Sequence, residues 1–197
     1  MHRLASLIVI SLPAIVWTNS VSAKQSQPGI ADKPDSSWHL LGGFGSSHPG
    51  WGGTKERVET VDLILRHERP QPVIRGQGWY RNRRSIFIEA ALHHLQSPDE
   101  PPMFGLYFQS CWTFRTDQAI QPYLFVGGGP VYTRAEIPGT SSAIKGSYQA
   151  GVGVRLEIGG NEFSLDYRFH HLSNGGIKEP NDPLNSDKLL FGMKLDL

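Results

Sequence analysis

Apolar and polar residues alternate one by one along eight separate segments of this 197-residue chain. The alternation is clearest in residues 163–173, where Phe163, Leu165 and Tyr167 fall on one side of an extended strand and Asp166 and Arg168 fall on the other. A period of two is typical of a β-strand whose two faces meet different surroundings. The pattern therefore predicts an all-β protein, and no convincing helix and no internal repeat interrupt it.

Eight such strands, each roughly the 9 to 11 residues that a tilted membrane strand needs, fit an eight-stranded antiparallel barrel. The other seven segments are residues 38–44, 61–65, 86–92, 104–114, 121–133, 148–158 and 189–197. A soluble sandwich or a lipocalin-like binder would turn the apolar faces inward, whereas a transmembrane barrel turns them outward. Large apolar side chains on nearly every strand favour a transmembrane β-barrel of the outer membrane, spanning residues 37–197.

The first 23 residues have the pattern of an export signal. A basic start at His2 and Arg3 precedes an apolar run from Leu4 to Trp17, and small residues end at Ala23. Residues 24–36 predict a flexible mature N-terminus. Removing the signal leaves 18 basic and 18 acidic residues, and this balance gives no indication of a nucleic-acid partner. The single cysteine, Cys111, excludes an intramolecular disulfide.

The connections between strands alternate in length. Residues 116–119 and 159–160 are short turns, whereas residues 46–56, 96–102, 134–145 and 174–186 are mostly longer, as in outer-membrane barrels. Residues 69–84 break this rule, because they should form a short turn and do not. With both chain ends on the periplasmic side, strand seven runs outward and delivers His171 and Ser173 to the outer end of the lipid-facing wall.

His171 and Ser173 share one face of that strand, with Cα atoms roughly 6.6 Å apart. An imidazole this close to a hydroxyl can act as its base, so the two residues are a candidate nucleophile and base on an apolar surface. His170 and His171, together with His93 and His94, raise the alternative of a metal site. Neighbouring strand residues point to opposite faces, so we expect His93 and His170 to be hydrogen-bonded filling of the barrel interior, and no metal site.

Residues 171–182, His-Leu-Ser-Asn-Gly-Gly-Ile-Lys-Glu-Pro-Asn-Asp, resemble the signature of the PagL-type lipid A 3-O-deacylases. Weaker similarity extends back to about Ile86. The resemblance implies an eight-stranded outer-membrane barrel that hydrolyses the ester-linked acyl chain at the 3 position of lipid A without a metal or other cofactor. The chain departs from the family at Leu172, where an aromatic residue is usual, and at Pro183, where glycine is common.

By the same resemblance, Ser173 is the nucleophile, His171 is the general base, and Asn174, Gly176 and Asn181 are candidates for placing the oxyanion. The implied partners are lipid A, or lipopolysaccharide, and outer-membrane lipid, and a homodimer is an allowed assembly. The alternative function is a non-enzymatic small outer-membrane barrel, either a structural protein or a narrow channel.

The acid of the catalytic triad is less directly placed. The family's glutamate falls on Asn185 when positions are counted forward from the nucleophile, and on Asp187 when they are counted back from the chain end. We expect Asp187 to be the acid, with Asn185 as the alternative, because a carboxylate stabilises an imidazolium and an amide only orients it.

Overall fold

The computed structural model describes residues 35–97 and 100–196, which form a closed antiparallel barrel of eight strands. The strands are β1 (Ser37–Ser47), β2 (Glu59–Arg75), β3 (Asn82–Ser97), β4 (Met103–Phe114), β5 (Ile120–Thr133), β6 (Ile144–Ile158), β7 (Asn161–Ser173) and β8 (Leu184–Leu195). Each strand pairs with the next, and β8 closes onto β1. The predicted barrel of eight strands is confirmed. The predicted signal, residues 1–23, and most of the segment 24–36 lie outside the described residues.

The two faces of the barrel wall follow the alternation. Large apolar side chains lie on the outer surface, with Phe44, Phe104 and Leu189 each more than half exposed. Polar and charged side chains such as Arg66, Glu89 and Asp166 point inward and are buried. A soluble lipocalin-like barrel would have the reverse arrangement, so this alternative is wrong. Among the described residues, no helix is long and apolar enough to cross a membrane.

A network of ion pairs fills the middle of the barrel. Arg66 donates from Nε to Glu89 at 2.7 Å and from Nη2 to Asp166 at 2.5 Å, and Arg168 contacts the same two carboxylates at 2.9 Å. The guanidinium of Arg66 also lies 4.2 Å from the centre of the Phe87 ring. Each buried charge therefore has charged partners, which buried ions need in order to be tolerated.

The histidines predicted to fill the interior do so. The ring of His93 is hydrogen-bonded at Nδ1 to Asp62, at 2.7 Å, and at Nε2 to the hydroxyl of Tyr107, at 2.9 Å. His170 approaches the same hydroxyl at 3.4 Å. Lys188 completes the group by donating to Asp62 at 2.6 Å.

Glu89→Ala should destabilise the barrel by about 3–5 kcal/mol, since it leaves Arg66 and Arg168 buried with one carboxylate between them. Urea unfolding in detergent micelles, followed by tryptophan fluorescence, measures the change. Ser164→Ala is the matched control, because the Ser164 hydroxyl is buried without a hydrogen-bond partner in the described part of the chain. If Glu89→Ala lowers the free energy of unfolding by less than about 1 kcal/mol, the value of an exposed ion pair, the expectation is contradicted.

The long connection at residues 69–84 is explained by strand extension. β2 continues to Arg75 and β3 begins at Asn82, so only residues 76–81 connect them, including the short 3-10 turn Gly78–Tyr80. The pairing of β2 with β3 is irregular between Pro70 and Ile74. Since proline has no N–H to donate to the ladder, Pro70 and Pro72 account for this irregularity. The segment that departs from the alternation of loop lengths is therefore an extended hairpin.

Candidate active site

Strand register places three side chains of the outer wall in one row. Tyr148 of β6 lies directly opposite His171 of β7, and His171 lies directly opposite Asn185 of β8. Ser173 follows on the same face of β7, two residues further toward the end of the strand. Directly paired residues have Cβ atoms only about 4.5–5.5 Å apart, so these side chains are in reach of one another.

Ser173, His171 and Asn185 form a continuous chain of hydrogen bonds. The His171 Nε2 atom lies 3.2 Å from the Ser173 hydroxyl oxygen, and the His171 Nδ1 atom lies 2.7 Å from the Asn185 Oδ1 atom. His171 and Ser173 are half-buried, whereas Asn185 is buried. A hydroxyl, an imidazole and an orienting side chain in this order are the arrangement that activates a nucleophile.

The β1–β2 loop, residues 48–58, fixes the orientation of the Asn185 amide. The Asn185 Nδ2 atom donates to the carbonyl oxygens of Trp51, at 3.0 Å, and Gly52, at 3.3 Å, and lies 3.2 Å from the Thr54 hydroxyl. The amide oxygen is therefore the atom turned toward His171. Because this oxygen can only accept, His171 Nδ1 carries the proton and Nε2 is left to accept from Ser173.

Thr54 holds the loop against the end of β8. Its hydroxyl donates to the carbonyl oxygen of Pro183, at 3.0 Å, and accepts from the backbone N–H of Asn185, at 2.9 Å. These contacts bury Asn185 beneath a loop that is more than 120 residues away in the sequence. Nothing in the spacing of residues 171–187 signals this loop, so its contact with Asn185 cannot be predicted from the sequence pattern.

The structure does not bring Asp187, the expected acid, to His171. Asp187 is paired with Phe169, one step further along the wall, and its Oδ2 atom lies 2.8 Å from the Nε2 atom of His48. Asp187 shares the outward face with Asn185, as the alternation predicts. The register of β7 and β8, however, pairs His171 with Asn185 and places Asp187 two residues further along β8. The alternative position, Asn185, is the one that contacts the imidazole.

The three residues considered for the oxyanion contact one another. The backbone N–H of Asn174 donates to Asn181 Oδ1 at 2.9 Å, and the backbone N–H of Gly176 donates to Asn174 Oδ1 at 2.9 Å. The Asn174 Nδ2 atom donates to the carbonyl oxygen of Lys178 at 2.5 Å. All three residues thus shape the β7–β8 loop. The backbone N–H of Gly175, two residues after Ser173, has no hydrogen-bond partner within the described residues.

Aromatic rings surround the imidazole on the outer wall. The Tyr148 ring stacks on the His171 ring, with centroids 4.1 Å apart and planes inclined by 15°. Phe169 lies 6.3 Å from Tyr148 and 5.1 Å from Trp51, centroid to centroid. The sequence predicts a strand from residue 148, but it gives no indication that Tyr148 contacts His171. The stacking needs the register of β6 and β7, which the sequence alone does not give.

The site can perform hydroxyl-based chemistry at an apolar surface. Among the described residues, no group of three or more His, Cys, Asp and Glu side chains is arranged to hold a metal ion. Tyr148, Trp51 and Ile144 expose at least half of their surface beside the site. Fold and site together define a small barrel that spans a membrane and carries a serine and a histidine at one end of its outer wall.

Comparison with known proteins extends this description. A family model described as Lipid A 3-O-deacylase (PagL) matches residues 76–194. The crystal structure of the outer membrane enzyme PagL superimposes with a TM-score of 0.58 at 18% identity, covering 82% of this chain and 100% of that chain. The crystal structure of Neisserial surface protein A gives a TM-score of 0.55 at 11% identity, covering 83% and 100%. A search of curated proteins found no match.

The chain belongs to the PagL family of lipid A 3-O-deacylases, and it is an outer-membrane β-barrel. The family match includes all of β3 to β7 and the residues of the candidate site except the β1–β2 loop. The structural matches include both an enzyme and a surface protein, so the barrel itself does not define an activity. The activity has to be argued from the site.

Proposed function

We propose that this protein is a serine esterase that removes the ester-linked acyl chain at the 3 position of lipid A, with Ser173 as nucleophile and His171 as general base. The observation that carries the proposal is the hydrogen-bond chain from Ser173 through His171 to Asn185 on the outward wall. Its position at one end of an apolar surface suits an ester that lies at the head-group boundary of a lipid leaflet.

The reaction requires two proton transfers in each half. Ser173 Oγ attacks the ester carbonyl carbon while His171 Nε2 takes the hydroxyl proton. The tetrahedral intermediate collapses, the bond to the 3-oxygen breaks, and His171 returns the proton to that oxygen. Water then attacks the acyl carbon on Ser173 and gives its proton to His171. The bond to Ser173 Oγ breaks, His171 returns the proton to that oxygen, and the fatty acid is released.

Asn185 is the proposed positioning residue for His171. In Ser-His-Asp enzymes, replacing the acid by asparagine costs roughly 10⁴ in turnover because the histidine adopts the wrong tautomer. Here the Asn185 amide nitrogen is engaged by carbonyl oxygens of Trp51 and Gly52, so its oxygen stays toward His171. The β1–β2 loop thereby allows an amide to hold the productive tautomer.

The oxyanion of the tetrahedral intermediate needs N–H donors at its position. Asn174, Asn181 and Gly176 support the turn that follows Ser173, through the hydrogen bonds between them. The backbone N–H of Gly175 is the proposed oxyanion donor. It lies in the turn that follows Ser173, and no hydrogen bond within the described residues occupies it. Both Gly175 and Gly176 have positive φ values, of 66° and 77°, which glycine adopts without strain.

The rival function, a non-enzymatic barrel, has less support. A narrow channel needs an open interior, whereas Arg66, Arg168, Glu89 and Asp166 meet across the middle of this one. A structural protein would have no use for a serine, a histidine and an oriented amide in hydrogen-bond contact on the outer wall.

Export with cleavage after Ala23 is part of the proposal, and N-terminal sequencing of the mature protein tests it.

Mass spectrometry of lipid A tests the proposed activity. Expression in a Gram-negative host whose lipid A keeps its 3-linked chain should convert it to a species lighter by that one acyl chain. The same host without the gene is the control. Incubation of the purified protein with isolated lipopolysaccharide in detergent should release the corresponding fatty acid. Unchanged lipid A in both assays would favour the non-enzymatic barrel.

A further inference from the structure

The end of the barrel opposite the candidate site carries a strongly basic hairpin. Residues 69–84 contain five arginines and no acidic residue. The other two hairpins at this end carry Arg115 with Asp117 in the β4–β5 turn, and Glu157 with Glu162 at the paired ends of β6 and β7. Positive charge at this end is thus concentrated where β2 and β3 extend beyond the neighbouring strands.

Arg84 lies where the apolar part of the β3 outer wall ends. From Arg84 toward the middle of the barrel, the next residues on this face are Ile86, Ile88, Ala90 and Leu92. The Arg84 guanidinium lies 5.6 Å from the centre of the Trp112 ring, and its Nη2 atom donates to Ser110 at 3.1 Å. Tryptophan side chains at the end of an apolar band mark the membrane–water interface. Arg84 is therefore level with lipid head groups.

The neighbouring strand has the same arrangement. On the outer face of β2, Leu63 and Leu65 are followed by His67 and then by the exposed Arg69. The Trp38 ring stacks on His67 with centroids 4.5 Å apart. Arg69 is paired with Ile86, two residues from Arg84 along β3. The two arginines are thus adjacent on the lipid-facing wall, bordered by two tryptophans.

Two guanidinium nitrogens of this hairpin lack acceptors. The Nε atoms of Arg83 and Arg84 are buried and have no hydrogen-bond partner in the described part of the chain. The nearby carboxylate of Asp117 is 3.2 Å from Arg81 instead. The Nε atom of Arg84 is too enclosed for an outside acceptor, but Ser110 is the one hydrogen-bond acceptor that the described residues give this guanidinium, and its Nη1 atom is neither paired nor buried. An acceptor from outside the chain can therefore bind at Nη1. Phosphate oxygens suit a guanidinium especially well.

We propose that Arg84 and Arg69 bind the phosphate of an anionic phospholipid in the inner leaflet of the outer membrane, with Trp112 packed against the same head group. The site is on the lipid-facing wall at interface level, which fits a membrane lipid and not a polymer that approaches the tip of the hairpin. Trp79 and Tyr80, exposed by 79% and 47% at that tip, add aromatic contacts near the same interface. The lipid site is independent of Ser173 and His171, and only its assignment to the inner leaflet depends on the orientation used in the proposed function.

Quenching of tryptophan fluorescence by brominated lipids tests the site. The full mature chain with Trp51→Phe, which removes the tryptophan near the candidate active site, is placed in phosphatidylcholine vesicles containing increasing dibrominated phosphatidylglycerol. A basic side chain near a charged membrane surface strengthens association by about fivefold. We therefore expect a preference for phosphatidylglycerol over phosphatidylcholine of about 5- to 30-fold at low salt, weakening as salt is added.

The double variant Arg69→Gln with Arg84→Gln should bring the preference to within about twofold of unity, since both charges are lost. The control is Arg57→Gln with Arg134→Gln, which removes the same charge from the opposite end and should keep the preference. No preference in the parent chain, or equal loss in both double variants, overturns the proposal. Binding to isolated peptidoglycan that depends on Arg69 and Arg84, without a lipid preference, would overturn it in favour of a cell-wall partner. No step of this test measures deacylation, so its failure is distinct from failure of the proposed activity.

Discussion

Ser173→Ala and His171→Ala are each expected to abolish deacylation of lipid A while leaving the barrel folded. Loss of either member of a serine–histidine pair removes several orders of magnitude of turnover, roughly 10⁴ to 10⁶. Both side chains lie on the outer wall and outside the buried ion-pair network, so neither change leaves a buried charge without its partner. Mass spectrometry of lipid A and fatty acid release by the purified variants measure the loss.

Two other outer-wall residues provide matched controls. Ser46→Ala removes a half-buried serine hydroxyl from β1, and His94→Ala removes an exposed histidine from β3. Both controls should keep full activity, and all four variants should keep the heat-modifiable gel mobility of a folded barrel. Full activity in Ser173→Ala would end the proposal of a serine esterase, whereas loss of activity in the controls would attribute the effect to the wall in general.

The barrel was predictable because each strand carries its own evidence. In β7, from Ser164 to Leu172, the residues of one parity are exposed or half-buried and those of the other are buried, as the alternation predicts. A period of two fixes the face of every side chain without knowledge of the partner strand. The same parity correctly placed His171 and Ser173 on the outer wall. The apolar faces and the interior charges then decide between a membrane barrel and a soluble one.

The third member of the site was not predictable in the same way. Asn185 and Asp187 share parity, so the alternation cannot choose between them. The choice depends on the length of the β7–β8 loop, which sets the register, and on the β1–β2 loop, which buries Asn185. Asp187 was expected to be the acid because a carboxylate stabilises an imidazolium better than an amide does. The amide of Asn185 becomes suitable only through carbonyl oxygens contributed from a distant part of the chain.

The extended hairpin at residues 69–84 illustrates a related limit. Its strands leave the apolar band, so alternation fades where Pro70, Pro72 and the arginines begin. Hydrogen bonding between β2 and β3 nevertheless resumes after the irregularity, with Ile74 opposite Arg83. Backbone pairing outside the apolar band does not require a face-dependent sequence. Pattern analysis therefore recognises such a segment only as an unexplained connection.

Asn185→Ala is expected to lower kcat by about 10²- to 10⁴-fold with little change in KM, because it removes the oxygen that holds the His171 tautomer. Asp187→Ala should lower kcat by less than about tenfold, since Asp187 contacts His48 of the β1–β2 loop and not the imidazole. Kinetics on isolated lipopolysaccharide in detergent separate the two parameters. Asp187→Asn, which retains an oxygen for His48, is the control for the loop contact.

Asn185→Asp distinguishes orientation of the histidine from mere filling of space. One carboxylate oxygen can still accept from His171 Nδ1, so this variant should recover part of the activity that Asn185→Ala loses. The other oxygen replaces the amide nitrogen, which lies 3.0 Å from the Trp51 carbonyl oxygen and 3.3 Å from that of Gly52. Two acceptors facing each other repel, so recovery should be incomplete. A larger loss in Asp187→Ala than in Asn185→Ala would instead make Asp187 the acid of a Ser-His-Asp triad, formed by a shift of β8 against β7 when lipid binds.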